Sequence, residues 1–214
     1  MARVVLHIHA LDLGGAERVA LQWALWLRDQ GHQVLLLVGQ QPRQAFFAVP
    51  QGITLLCRPK LWSSTPGGSV AWLRHWMQDH RPDLAIGITT RPAINLLLAS
   101  VDQPWPVLVA ERNFPPAKLL PLPWRVLRRW LYPQAALHLV QTQRIGDWLA
   151  AQGLAKKLAV LPNPVLWPLP VQEPVLDPDA WMPPMINLLL AVGTKPHQKG
   201  FDRLLAVFKT LASA

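Results

Sequence analysis

Cysteine is nearly absent. Cys57 stands alone in 214 residues, so the chain carries neither a disulfide framework nor a cysteine-based zinc site. Long hydrophobic runs are missing too, and no stretch approaches the roughly 18–20 residues of a membrane span. The first residues, MARVVLHIHALDLGG, hold one short apolar run broken by His7, His9 and Asp12. They lack a small-residue cleavage site and read as a buried strand, not a signal peptide. Together these absences point to a cytoplasmic protein. Acidic residues are few. Twelve Asp and Glu face 21 Lys and Arg, giving a formal charge of +9. That excess favours anionic partners such as sugar nucleotides, acidic membrane or nucleic acid. The basic residues are scattered and form no recognition motif, so nucleic acid is not expected. Glutamate occurs only at Glu17, Glu111 and Glu173.

What is present is a globular pattern. Hydrophobic residues make up 51% and charged residues 15%, with 11 Trp and 22 Pro. Val4–Ile8 is a strand, Leu11–Gly15 a glycine-bearing loop, and Ala16–Gln30 a helix with Val19, Leu21, Trp23, Ala24, Trp26 and Leu27 at helical spacing. Gly31 stops it, and Gln33–Val38 is an apolar strand. Strands at Ile53–Cys57, Asp83–Ile88, Val107–Glu111, Ala136–Gln141 and Leu158–Leu161 follow. Helices at Ser69–Asp79, Arg91–Ser100, Pro123–Tyr132 and Gln143–Gln152 lie between them. This alternation predicts an α/β fold, a doubly wound parallel Rossmann-like sheet. A proline-rich stretch then reads as an extended connector, because proline supplies no amide to a ladder or a helix interior. The reading gives a first domain over 1–165, a linker over 166–184, and over 185–214 a strand, Asn187–Val192, with its helix. One such unit cannot cover both faces of a parallel strand, so it reads as the opening of an incomplete second Rossmann-like domain.

Four segments could carry chemistry. Gly14 and Gly15 precede the first helix, whose N-terminal amides suit phosphate. The pattern is not GxGxxG, so a dinucleotide cofactor is not indicated. Glu111, Arg112 and Asn113 follow a strand end, where open parallel sheets bind ligands. A carboxylate, a guanidinium and an amide there can hold sugar hydroxyls or developing charge. Asn163 sits between two prolines at the end of the last strand. Lys195 and Lys199, with Gly193 and Gly200, lie in a loop where they could neutralise a diphosphate. Each also has a plain reading as a turn, a surface ion pair or a basic loop. Arg125, Arg128 and Arg129, spaced i, i+3, i+4, share one helix face beside Trp124 and Trp130. That face suits an anionic membrane surface, or simply solvent. The pair Asp177 and Asp179 has the DxD form but no further ligand nearby, and no metal site is expected.

GGAERVA after the first strand, AERNFPP near 110, WRVLRRWLYPQAALHLVQTQRI, LPNPV and LLAVGTKPHQKGFDRLL occur in an order that resembles a family 4 glycosyltransferase of the GT-B fold. The resemblance implies two Rossmann-like domains with a cleft between them. A nucleotide sugar, usually a UDP-sugar, binds the C-terminal domain. A polysaccharide or lipid-linked saccharide acceptor binds the N-terminal one. Transfer retains the anomeric configuration without a metal. It further implies that Gly14 and Gly15 face the donor diphosphate, that Glu111, Arg112 and Asn113 line the cleft, and that Asn163 and Lys199 contact the donor. Where relatives often carry Arg after Gly193, this chain has Thr194, with Lys195 beside it. Two glutamates separated by seven residues, expected in the C-terminal domain, have no counterpart. The chain therefore reads as a truncated glycosyltransferase, inactive alone. The competing reading is a non-enzymatic nucleotide- or lipid-binding module.

Overall fold

The structure, a computed structural model, describes residues 1–12, 14–40, 48–63, 67–117, 119–165, 177, 180, 182, 188–193 and 196–212. The chain divides into two compact units, Met1–Pro164 and Val165–Ala214.

In the first unit the strands are β1 (Arg3–Ile8), β2 (Gln33–Val38), β3 (Ile53–Cys57), β4 (Leu84–Ile88), β5 (Val107–Glu111), β6 (Leu137–Val140) and β7 (Leu158–Val160). Among the described residues these form one parallel sheet in the order β3-β2-β1-β4-β5-β6-β7. The helices are α1 (Gly15–Asp29), α2 (Lys60–Ser63), α3 (Gly68–His80), α4 (Thr90–Ala99), α5 (Leu122–Leu131) and α6 (Gln143–Ala151). Each expected element of this unit is found with ends within one residue of the sequence reading. The four-residue α2 was not expected, being too short to show a period.

Strands β1 and β2 are almost wholly apolar because they are covered on both faces. Alternation divides their side chains. Val5, Leu35 and Leu37 join the core formed with α3, α4 and α6. Val4, Leu6, Ile8, Val34, Leu36 and Val38 join the core under α1. The same rule sorts β5, with Val107 and Val109 facing the first core and Ala110 the second. Strand order reverses between β1 and β4, which makes a crevice at their carboxyl ends. Gly87 sets how closely α4 approaches that edge. A Cβ there would lie 3.0 Å from the Ala93 Cβ and still nearer its Cα.

The second unit contains α7 (Pro196–Lys199) and α8 (Phe201–Ala212), separated by Gly200 at φ 73. The strand expected over Asn187–Val192 is not formed by its described residues. Residues 188–192 are irregular, and Leu188, Leu189, Leu190 and Val192 are exposed. A parallel strand exists only through a neighbour that takes its amides and carbonyls, and none of the described residues does so. Most of 166–184, with Thr194 and Lys195, lies outside the described residues. No helix among the described residues is long and apolar enough to cross a membrane.

Candidate functional site

The carboxyl edge of the sheet gathers most of the residues singled out from sequence. Glu111 ends β5 and is 0% exposed. The Thr90 hydroxyl, at the start of α4, donates to its Oε1 at 3.0 Å and to Oε2 at 3.1 Å. The Tyr132 hydroxyl donates to Oε2 at 2.8 Å. A buried carboxylate survives only with such partners. Burial and the adjacent Glu111 raise the Tyr132 phenol well above its usual range, so it stays a donor at all ordinary pH. Tyr132 itself is fully buried just past α5 and lies with its ring centre 5.2 Å from that of His138. Burial lowers His138 to about 4, opposed in part by the Lys157 backbone, and neither ring nitrogen has a hydrogen bond of good geometry among the described residues.

Arg112 is the next residue, and alternation sends it to the opposite face of the sheet. There its guanidinium lies 4.9 Å from the ring centre of Trp23 on α1. Its Nη2 donates to Asn163 Oδ1, which also accepts from Gln141 Nε2 at 2.9 Å. Arg112 is 6% exposed, and burial lowers it to about 10, which leaves it cationic at neutral pH. Thus Arg112 and Asn163, picked from segments 51 residues apart, meet. Asn113 is half-buried beside them in sequence.

Thr89, between β4 and α4, has φ 70 and ψ 163, a region used almost only by glycine. That strain sits at the crevice where strand order reverses. Gly14 and Gly15 are not held in a conformation that requires glycine. Gly14 precedes α1 with an extended backbone at φ −167, and Gly15 has open space where a side chain would go. The Glu17 carboxylate folds back against Gly14, placing negative charge at the helix end that was expected to receive phosphate.

Of the three arginines around α5, Arg125 and Arg129 are exposed. Arg128 is half-buried, with its guanidinium 5.3 Å from the Trp148 ring centre on α6. Leu122, Val126 and Trp130 form an exposed apolar stripe beside the two free-standing arginines. Lys199 is exposed at the end of α7 in the second unit. Sequence reasoning missed Thr90, Tyr132, Gln141 and Trp23. One signal was available: Tyr132 is the chain's single tyrosine, placed where a helix was expected to end.

Comparison with known proteins now gives this edge a context. No match is found among curated proteins. Among solved structures, the chain resembles the lipopolysaccharide outer core galactosyltransferase WaaB in its apo form, with TM-score 0.59 and 15% identity over 77% of this chain and 46% of that one. Anabaena HepE in complex with UDP-glucose gives 0.59 and 18%, over 76% and 44%. A UDP-N-acetylglucosamine 2-epimerase gives 0.54 and 15%, over 75% and 48%. The chain spans under half the length of these proteins, and the likeness is one of fold. The sequence profile of the Glycosyl transferase 4-like domain matches residues 14–164, from the helix that carries Trp23 to just past Asn163. On that match, the chain belongs to the glycosyl transferase 4-like domain family, with the Rossmann-like sheet of a GT-B N-terminal domain.

Proposed function

We propose that this chain is the acceptor-side part of a retaining glycosyltransferase that moves a hexosyl or N-acetylhexosaminyl group from a UDP-sugar to a polysaccharide or lipid-linked saccharide. The family match supports transfer, and HepE's complex with UDP-glucose supports the class of donor. The epimerase of like fold is the reason that the fold alone does not choose the reaction. The observation that carries the reading is the buried Thr90–Glu111–Tyr132 cluster, with Arg112 buried on the opposite face, at the carboxyl edge of the sheet. Buried polar groups fixed in this way are costly to the fold and are kept where chemistry needs preorganised charge.

In the reaction the bond between the anomeric carbon and the UDP oxygen breaks. A bond from the acceptor oxygen forms on the same face, and the hydroxyl proton leaves with UDP. The cations Lys195 and Lys199, in a second unit that begins the donor-binding domain, oppose the charge growing on the diphosphate, and no metal is needed. Gly14, Gly15 and Asn163 border the donor. Helix α5 rests on the acidic inner face of the cell membrane, with Trp130 at headgroup depth and Arg125 and Arg129 against lipid phosphate, so that a lipid-linked acceptor is within reach.

The test joins this chain to the half of HepE that it does not match. With UDP-glucose and extracted bacterial lipids, a glycolipid of unchanged anomeric configuration is expected. A joined protein that binds UDP-glucose and transfers nothing to any saccharide or lipid would speak for the binding-module reading instead.

A further inference from the structure

One charge at the carboxyl edge has no counter-charge among the described residues. Arg112 is 6% exposed, and no carboxylate pairs with it among the described residues. Its Nη2 is taken by Asn163, but Nε and Nη1 are buried with no hydrogen-bond partner among the described residues. Glu111, adjacent in sequence, faces the other way and is held by Thr90 and Tyr132. A buried cation without an anion is expensive, and an orphaned N–H adds to that cost. The Trp23 ring answers only part of the charge.

We propose that Arg112 is the receptor for a phosphate oxyanion of the substrate, with Trp23 behind the guanidinium and Asn163 and Gln141 at its rim. A phosphate brings both the missing charge and several acceptor oxygens, enough for the unanswered N–H groups of Nε and Nη1. The choice of phosphate over carboxylate rests on the glycosyltransferase reading, since a nucleotide sugar and a lipid-linked acceptor both carry phosphate. Asn163 is exposed. It is the side chain that moves aside as the anion enters. The site lies wholly within the first unit, so it needs no second domain to be measured.

The experiment is isothermal calorimetry and thermal melting of the full chain with pyrophosphate, UDP and a short prenyl phosphate in mild detergent, against sodium chloride at equal ionic strength. Wild type is expected to bind at least one of these phosphates saturably. Arg112→Met is expected to bind at least about tenfold more weakly, the loss of one charge-assisted contact or more. Arg112→Lys keeps the charge but not the planar donors and falls between. Without phosphate, Arg112→Met melts no lower than wild type, because it removes an unpaired buried charge. Preference for UDP assigns the anion to the donor, and preference for prenyl phosphate assigns it to the acceptor. Equal binding by wild type and Arg112→Met overturns the proposal. So does an Arg112→Met protein that melts well below wild type and is restored by Arg112→Lys, since the residue is then a packing element. Binding is read without turnover, so a joined enzyme that fails to transfer leaves this site standing, and a missing phosphate site leaves the transfer reading standing.

Discussion

Two buried histidines make the fold sensitive to acid. His7 and His138 are each 2% exposed or less, and burial lowers both from 6.5 to about 4. His7 donates its Nδ1–H to the Leu37 carbonyl at 2.9 Å, while the His138 ring makes no hydrogen bond of good geometry among the described residues. The unfolded chain takes up these protons below pH 6.5 and the folded chain only near 4. Stability is therefore full above 6.5 and falls as pH drops toward 4, by about 3 kcal/mol per histidine across that window. Melting from pH 7 to pH 4 should show it, and His138→Phe should halve the slope. The same substitution should raise stability at pH 7 by about 1 kcal/mol, because two unsatisfied nitrogens disappear. Tyr132→Phe acts in the opposite sense. It deletes a bond to the buried Glu111 carboxylate and should cost about 1–3 kcal/mol in denaturant unfolding. Glu111 and Arg112 were visible in sequence as a charged pair after a strand. Their division between two faces follows from alternation, but their partners Thr90, Tyr132 and Trp23 come from three other elements. No local pattern marks those partners.

At the scale of elements, two helices decide how the edge is built and used. Helix α4 reaches the crevice because Gly87 leaves room for Ala93. Gly87→Ala pushes a methyl group onto helix backbone, which cannot yield as a side chain tip would. It should destabilise by about 1–3 kcal/mol, measured by urea unfolding. In sequence this glycine looked like any other residue of a strand, because the clash is with an element whose packing distance is unknown until the fold is. Helix α5 was legible as a basic, tryptophan-flanked helix, but not its rotation. Trp124 packs on the core and Arg128 covers Trp148, whereas Trp130 is 74% exposed. The proposed membrane contact thus rests on Arg125 and Arg129, at about 1 kcal/mol each, together with Trp130. Liposome co-sedimentation should fall for Arg125→Ala/Arg129→Ala and for Trp130→Ser. It should be indifferent to Arg128→Ala and should weaken with salt. Equal sedimentation of all variants would remove the membrane from the account.

For the whole molecule, the parallel sheet was the most legible feature. Apolar strands alternating with amphipathic helices leave few other ways to bury both strand faces, and the boundaries came out within one residue. The described residues of the strand expected at Asn187–Val192 form none for the complementary reason, since an apolar run becomes a strand only beside another strand. Its leucines and Leu205, Val207, Phe208 and Leu211 of α8 are exposed in the structure. On the proposed function, the first unit contributes chemistry, not merely a scaffold, to sugar transfer. The direct measurement is the rate of glucose transfer from UDP-glucose by this chain joined to the unmatched half of HepE, in wild type and in Glu111→Gln, with UDP-glucose affinity measured on both. Transfer by the wild type is expected, with a loss of about a hundredfold or more in Glu111→Gln and donor affinity unchanged. Glu111→Gln transferring as fast as the wild type would rule out a chemical role for the first unit.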